Sequence, residues 1–292
     1  MNKLFFLSLM AVLALAACAE GQPPPPDPFA ISWDDRGAFK PTLIEAEQGV
    51  LDGLEGATIY HMDLTLSNDL KRVSGREQVR YTNRESVSLD RVCFRTYPNV
   101  TGGEIVVSEA RVAGDIVTPT SHSAGSAICV PPIRPLRPGE SVVIELDFVI
   151  DVPTDLGGNY GLFGLFEDTL VLDTFYPAIP AYDEQGWQIQ TPARNGDLTY
   201  YDASFYLVRV TAPDELTVVA SGIEVGHEVD GDHQVRTYAA GPARDFYLAA
   251  SERFVRFSEQ VDETTVHSYA FAGREQGAEL ALEYAVNALK AY

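Results

Sequence analysis

The feature that most constrains this chain is an alternation of apolar and polar residues that recurs in many short segments. Side chains on a β-strand point alternately to opposite faces, so a period of two predicts a strand with one buried face. The clearest segment follows the turn-forming string PLRPGE and has five apolar residues on one face: Val142, Ile144, Leu146, Phe148 and Ile150. Glu145 and Asp147 lie on the other face, which predicts a half-buried strand.

Similar segments recur along most of the chain, separated by turns rich in Gly, Pro and Asp. The predicted strands cover 60–66, 78–82, 89–97, 104–112, 127–130, 142–150, 169–175, 204–211, 216–221, 234–239, 246–251, 254–258 and 264–271. Many short strands at this spacing predict an all-β fold, an antiparallel β-sandwich. Parallel strands would need long crossover connections, usually helices, and the sequence predicts none between the strands.

The charge balance excludes one class of partner. The chain has 21 Lys and Arg against 42 Asp and Glu, a formal net charge of -21. Such an acidic surface repels phosphate backbones, so no nucleic-acid partner is expected. Its three cysteines include no C-x-x-C pair, which argues against zinc ribbons and thioredoxin-type chemistry.

The first residues resemble an export signal. A lysine precedes an apolar run that is too short to span a bilayer, and small residues end it. The string Leu15-Ala16-Ala17-Cys18 resembles a bacterial lipobox, so residues 1–18 are interpreted as a lipoprotein signal peptide with lipidation at Cys18. Ordinary cleavage at the A-x-A site of residues 14–16 is the alternative. The lipobox predicts an exported protein of the bacterial cell envelope, anchored to the membrane through lipid.

Residues 19–56 are interpreted as a linker. Its first part, AEGQPPPPDP, favours extended polyproline geometry and would hold a folded domain away from a membrane. The remainder, which includes Trp33, is interpreted as a tether that can dock on the domain. Residues 57–272 then form the predicted β-sandwich domain.

With Cys18 assigned to lipid, two cysteines remain. In an exported protein Cys93 and Cys129 can form a disulfide, which would contribute roughly 3–4 kcal/mol in the chain-entropy model. Two separate buried thiols are the alternative, and the sequence leaves both open.

After residue 272 the apolar period changes to that of a helix. Residues 273–292 are rich in helix formers, and the chain ends within the predicted helix with no capping residue. One helix cannot bury an apolar stripe alone, so we expect this chain to be the front part of a longer protein. The alternative is a terminal helix that packs back on a sheet.

Candidate chemical motifs are weak. His227-Glu228 with His233 has the wrong spacing for an H-E-x-x-H zinc helix, and Asp230-Gly231 predicts a hairpin turn instead. Adjacent acidic pairs, at 167–168 and 183–184, are expected by chance among 42 carboxylates. No catalytic, cofactor-binding or metal-binding residue is therefore predicted in this chain.

Several strings, in order, resemble the N-terminal β-sandwich domain of the zinc aminopeptidases related to aminopeptidase N, a gluzincin metallopeptidase family. They are YHMDLTL (60–66), LRPGESVVIELDFVIDVP (136–153), FYPAIPAYDEQGW (175–187), YLVRVTAPDELTVVASG (206–222) and RDFYLAASERF (244–254). The resemblance covers about residues 57–292.

The resemblance implies that a thermolysin-like catalytic domain, with H-E-x-x-H and a distant glutamate as zinc ligands, follows residue 292. Zinc is thus implied as a cofactor of that domain, and the partners are this catalytic domain, peptide substrates and the membrane. Residues 273–292 would be its first helix. Many members hold the substrate's amino terminus with a Gln-x-Glu from the first domain; here only Glu167-Asp168 precedes Tyr176-Pro177, and Gln185 follows Asp183-Glu184 where the family has proline.

Two functions are compatible with the sequence. The first is the non-catalytic N-terminal portion of a lipid-anchored zinc aminopeptidase that removes N-terminal residues from peptides. The second is a surface lipoprotein whose β-sandwich binds a peptide, protein or carbohydrate without catalysis. A zinc helix encoded shortly beyond codon 292 would favour the first, and an immediate stop the second.

Overall fold

The computed structural model of the chain describes residues 27–155, 161–192, 196 and 198–292. The strands are β1 (Ile59–Leu66), β2 (Arg72–Thr82), β3 (Val92–Arg95), β4 (Glu104–Val112), β5 (Asp115–Val117), β6 (Thr120–His122), β7 (Ala127–Val130), β8 (Ser141–Asp151), β9 (Phe163–Phe166), β10 (Thr169–Leu172), β11 (Tyr182–Asp183), β12 (Gly186–Trp187), β13 (Ser204–Pro213), β14 (Thr217–Ala220), β15 (Ile223–Asp230), β16 (His233–Ala243), β17 (Leu248–Ser251), β18 (Phe254–Val261) and β19 (Thr264–Phe271). Short 3-10 helices occur at Gly37–Thr42, Glu45–Gly53, Tyr97–Val100 and Ser123–Gly125, and α1 spans Glu275–Ala291.

The predicted all-β fold is confirmed. A large sheet has the strand order β15-β16-β13-β1-β2-β8-β4-β5, and a small sheet has the order β14-β17-β10-β9. The apolar face of β8 is buried as the alternation predicted, and it shares one core with Leu170 and Leu172 of the small sheet. The sequence-predicted hairpin at Asp230-Gly231 is also present, because it joins β15 to β16 and Gly231 has a φ of 66°.

One strand pair differs from the predicted antiparallel arrangement. Strands β1 and β13 run parallel, with Ile59 opposite Phe205 and Thr65 opposite Thr211. A parallel pair needs a long connection, but that connection need not be a helix. Here the chain between β1 and β13 forms other strands and no α-helix. The sequence therefore contained no helical period that would have indicated a parallel pair.

A third sheet, with strand order β3-β7-β6, carries the two remaining cysteines. Cys93 and Cys129 lie directly opposite each other in the β3–β7 register and are joined by a disulfide. Both residues are buried, so the bridge ties the two strands together inside the main core.

Residues 27–54, which we call the strap, pack on the outer face of the large sheet. Phe39 and Leu51 of the strap are buried in a second apolar cluster with Ile59, Phe205, Leu207 and Ala239 of β1, β13 and β16. At the beginning of the strap, the Phe29 and Trp33 rings stack against His61, with centroids 5.3 and 4.2 Å from the imidazole. Most of the region interpreted as a tether is therefore docked on the domain.

The strap isolates His61 from water. The imidazole Nε2 is buried without a hydrogen-bond partner, and burial lowers the pKa of His61 to about 4. In a Phe29→Ala/Trp33→Ala variant we expect this pKa to rise towards 6.5, since the charged imidazole regains its hydration. An NMR titration of the histidine resonances measures the shift, with His267 on β19 as an internal control. A pKa that stays near 4 in the variant would show that the strap does not shield His61.

The end of the chain forms a hairpin and a helix that pack together. Strands β18 and β19 pair with each other, and α1 lies against them with Ala278 and Val286 buried. Lys290 Nζ lies 3.3 Å from Glu259 Oε1 and links the helix to the hairpin. The helix closely matches the predicted span of 273–292, but the proposed domain boundary at 272 separates it from the hairpin that it contacts. In the described part of the chain, no helix is both long and apolar enough to cross a bilayer.

Candidate functional site

The aromatic–proline segment, residues 175–187, leads from β10 of the small sheet to the short β11–β12 hairpin. Its first half is buried. The sequence predicted a strand that continued to residue 175, but β10 ends at Leu172. Phe175 and Tyr176 are almost completely buried, and Ala178 forms an isolated β-bridge with Arg95 of β3. The segment is thus fixed at both the small sheet and the disulfide-bearing sheet.

A cluster of tyrosines holds this segment against the large sheet. Tyr60 of β1 and Tyr206 of β13 are stacked with ring centroids 4.9 Å apart, and Tyr176 meets both edge-on at 5.8 and 6.0 Å. Aromatic pairs in these geometries contribute about 0.5–1.5 kcal/mol beyond their buried area. This tyrosine cluster fills the core directly beneath the segment.

Hydrogen bonds from the tyrosine cluster fix the backbone of the segment. The Tyr60 hydroxyl accepts from the backbone N–H of Ile179 at 2.9 Å. The Tyr176 hydroxyl donates to Asp245 Oδ1 at 2.9 Å, and the backbone N–H of Phe246 donates to the same oxygen at 2.7 Å. The bond to Tyr60 joins the segment to β1 and the bond to Asp245 joins it to the loop between β16 and β17, so together they give it one defined position.

Two carboxyl groups beside the tyrosine cluster have perturbed acidity. Burial raises the pKa of Asp245 to about 7, against the opposing effect of its hydrogen bonds, and the neighbouring Asp173 carboxyl adds to the rise. Glu77 of β2 is fully buried, neither carboxyl oxygen has a hydrogen-bond partner, and burial raises its pKa well above the usual value. Burial also raises the pKa of Tyr60 and Tyr176, so both phenols stay protonated.

Sequence reasoning missed Glu77 and Asp245. A signal existed for Glu77, because it lies in phase with the buried Val73, Val79 and Tyr81 of β2. When an acidic residue falls on the apolar face of a predicted strand, either the strand is wrongly assigned or the carboxyl group is buried. Asp245 had no such signal, since the groups beside it, Tyr176 and Asp173, are distant in sequence.

The acidic pairs noted in the sequence lie in turns. Glu167 and Asp168 join β9 to β10, where their backbone carbonyls accept hydrogen bonds from the side chains of Arg253 and Ser251. Asp183 ends β11, and its carboxylate accepts a hydrogen bond from the side chain of Gln188 at 2.7 Å. The structure does not bring the two pairs together: the first turn is held by side chains at the end of β17, and the second pair is held within its own hairpin.

The histidines 227 and 233 lie on opposite strands of the β15–β16 hairpin. His233 Nδ1 lies 2.7 Å from Asp232, while His227 is 4.0 Å from Glu224. Across residues 27–155, 161–192, 196 and 198–292, no group of three or more His, Cys, Asp or Glu could hold a metal ion. Cys18 and the rest of the predicted signal peptide lie outside the described residues.

A cleft of about 1150 Å³ lies between the sandwich and the β18–β19 hairpin. The hairpin lines it with Phe254, Arg256 and Tyr269, and β16 lines it with Arg236 and Tyr238. Arg236 is held by Glu224, and the Tyr238 hydroxyl donates to the carbonyl of Val218 on the edge strand β14. The cleft is therefore polar and partly aromatic, and it separates the sandwich from the C-terminal hairpin and helix.

Among solved structures, the fold is similar to that of an M1 zinc metallopeptidase from Deinococcus radiodurans, in a mutant form bound to a Tyr-Ser-Ala substrate. The identity is 19% and the TM-score 0.50, over 73% of this chain and 46% of the other. A second structure, an M1 zinc metallopeptidase from the same organism, gives 18% identity and a TM-score of 0.49 over the same shares. No protein-family model matches the chain, and no curated protein matches it.

At this identity, the first similarity shows that the two proteins share a fold. The chain spans less than half the length of that metallopeptidase. The described residues offer no ligand set for zinc, so no zinc-dependent step is assigned to them.

Proposed function

We propose that the chain is the non-catalytic N-terminal portion of a lipid-anchored zinc aminopeptidase that removes N-terminal residues from peptides. The observation that carries this proposal is the fold shared with an M1 zinc metallopeptidase over 73% of the chain. The ordered strings that resemble aminopeptidase N support it independently, because they were found in the sequence alone.

In this proposal the sandwich has a positioning role. The tyrosine cluster and the Asp245 carboxyl fix the aromatic–proline segment, so a following catalytic domain would meet a rigid surface. In that domain, bound zinc would supply Lewis-acid polarisation of the scissile carbonyl. No residue of this chain is given a catalytic role.

The outer side of α1 supports a further domain as the partner. Ala278 and Val286 face the hairpin, but Leu280 and Tyr284 lie one helical turn apart on another side and are 49% and 66% exposed. Apolar residues spaced four apart form one stripe on a helix. We assign this stripe to contact with the proposed catalytic domain.

Lipidation of Cys18 is proposed to hold the protein at the membrane of the cell envelope. The disulfide between Cys93 and Cys129 is compatible with an exported protein, since disulfides persist in oxidising compartments. Two acyl chains, rather than one, give stable anchoring, as expected for a processed lipobox cysteine.

An aminoacyl-anilide assay tests the proposed function. We expect the 292-residue chain to hydrolyse none of these substrates with zinc added, whereas the complete product of its gene hydrolyses them until a chelator is added. A chelator-sensitive activity in the short chain would contradict the non-catalytic role. A complete gene product with no activity would favour the binding lipoprotein, for which the cleft beside the hairpin is a candidate site.

A further inference from the structure

We infer that the strap orients the domain on the bilayer, by clamping the lipid tether to the outer face of the large sheet so that this face lies towards the membrane. The inference rests on the proposed lipid anchor at Cys18 and adds to it a defined surface of the domain. It follows from how near to Cys18 in sequence the strap is already held on the sheet, and from how firmly it is held.

Ion pairs fix the beginning of the strap. Asp27 lies 3.6 Å from Arg209 of β13, and Asp34 lies 2.5 Å from Arg80 of β2. The Arg209 guanidinium also lies 5.0 Å above the ring of Phe29. The chain is therefore already held on the sheet at Asp27, well before the first strand begins at Ile59.

Apolar packing holds the rest of the strap. Phe39 is 1% exposed and Leu51 is 4% exposed, which burial in the second cluster explains. Burying side chains of this size is worth about 1.5–3 kcal/mol each before the entropy of ordering is subtracted. Release of the strap would also uncover Phe205 and Leu207, so the docked state is strongly favoured.

The docked strap shortens the tether. Asp27 is nine residues beyond Cys18, and an extended chain spans at most about 3.3–3.6 Å per residue, so the attachment lies within about 30 Å of the lipidated residue. If the first fixed residue were Ile59 instead, the reach would exceed about 130 Å by the same rule. A tether this short keeps the side of the domain to which it is attached nearest to the bilayer.

The face beside the attachment is suited to contact with headgroups rather than to insertion. Arg76 of β2 pairs with Asp147 of β8 at 2.6 Å, and Arg209 pairs with Asp63 of β1. These paired charges lie in a shallow, open depression of the outer face. Charged pairs do not enter hydrocarbon, so the face would rest at the level of the lipid headgroups.

Energy transfer on vesicles tests the inference. One fluorophore is attached at Thr65→Cys, an exposed position on the outer face of β1, and another at Glu252→Cys, an exposed position beyond β17 of the small sheet. The lipidated protein is placed on phosphatidylethanolamine and phosphatidylglycerol vesicles that carry a rhodamine-labelled lipid acceptor. We expect stronger transfer from position 65 than from position 252.

Two variants examine the role of the strap. The Phe29→Ala/Trp33→Ala variant frees only the beginning of the strap, because Phe39 and Leu51 still hold the rest, so it should reduce the difference between the two positions. Insertion of twenty Gly and Ser residues between Pro26 and Asp27, which leaves the strap contacts intact, should abolish the difference. Equal transfer from both positions in the unmodified protein, or a difference that survives the insertion, would overturn the inference.

A Cys18→Ala variant tests the proposed lipid anchor separately from the proposed orientation of the domain. This variant should not bind the vesicles at all. If it binds as well as the unmodified protein, the lipid anchor is wrong, whereas the docking of the strap is judged separately by the His61 titration in solution.

Discussion

Replacing Glu77 by glutamine is expected to have little effect on the stability of the protein at pH 4 and to stabilise it increasingly as pH rises above about 4.5. Both carboxyl oxygens of Glu77 are buried without a partner, and burial raises its pKa well above the usual value. In the unfolded chain the same group ionises near pH 4.5. The folded state therefore keeps a proton that the unfolded state releases.

The sign of the pH dependence follows from this difference. Below pH 4.5 both states hold the proton, and the stability associated with Glu77 is fully present. As pH rises, that stability falls by about 1.4 kcal/mol per unit until the folded-state pKa is reached. The pKa of Asp245 is raised to about 7, so the stability associated with Asp245 also falls as pH rises. The Glu77→Gln variant loses the first contribution and keeps the second.

Urea denaturation at several pH values measures the effect. The difference in the free energy of unfolding between Glu77→Gln and the unmodified protein should grow steadily from about pH 4.5 upwards. Glu104→Gln, an exposed position on β4, serves as the matched control and should change stability little at any pH. A gap that is constant with pH would mean that Glu77 is ionised in the folded protein.

Loss of the disulfide is expected to lower the free energy of unfolding by about 4 kcal/mol in the chain-entropy model. Cys93 and Cys129 are separated by 36 residues, so the bridge restricts a loop of considerable length in the unfolded chain. The double variant Cys93→Ala/Cys129→Ala should unfold at correspondingly lower denaturant concentration.

A reductant distinguishes the bridge from the packing of the sulfur atoms. Reduction of the unmodified protein should bring its stability most of the way to that of the double variant, and should leave the double variant unchanged. If reduction does not move the transition, the bridge contributes little and the loss in the variant reflects the cavities left by the two side chains.

Local periodicity predicted many of the individual elements, although it missed β9, β15 and the first residues of β2. The apolar phase of 142–150 matched β8, the Asp230-Gly231 turn matched the β15–β16 hairpin, and the helix at the end of the chain lies within two residues of its predicted bounds. In each case the signal and the structure involve neighbours in sequence, where a period or a turn residue decides the conformation.

Long-range features were not accessible in the same way. The parallel pairing of β1 with β13 and the packing of α1 on the β18–β19 hairpin depend on which partners meet in space. The burial of Asp245 has the same origin, because its neighbours Asp173 and Tyr176 come from another part of the chain. Only the burial of Glu77 could be read from the local sequence, because Glu77 alternates in step with the buried residues of β2.

Native mass spectrometry of the protein released from the membranes of its source tests the central claim most directly. We expect a mass well above the 31.9 kDa of this chain, one bound zinc ion, and acyl chains on an N-terminal peptide beginning at Cys18. A zinc-free protein with the mass of the chain alone, less its signal peptide, would contradict it.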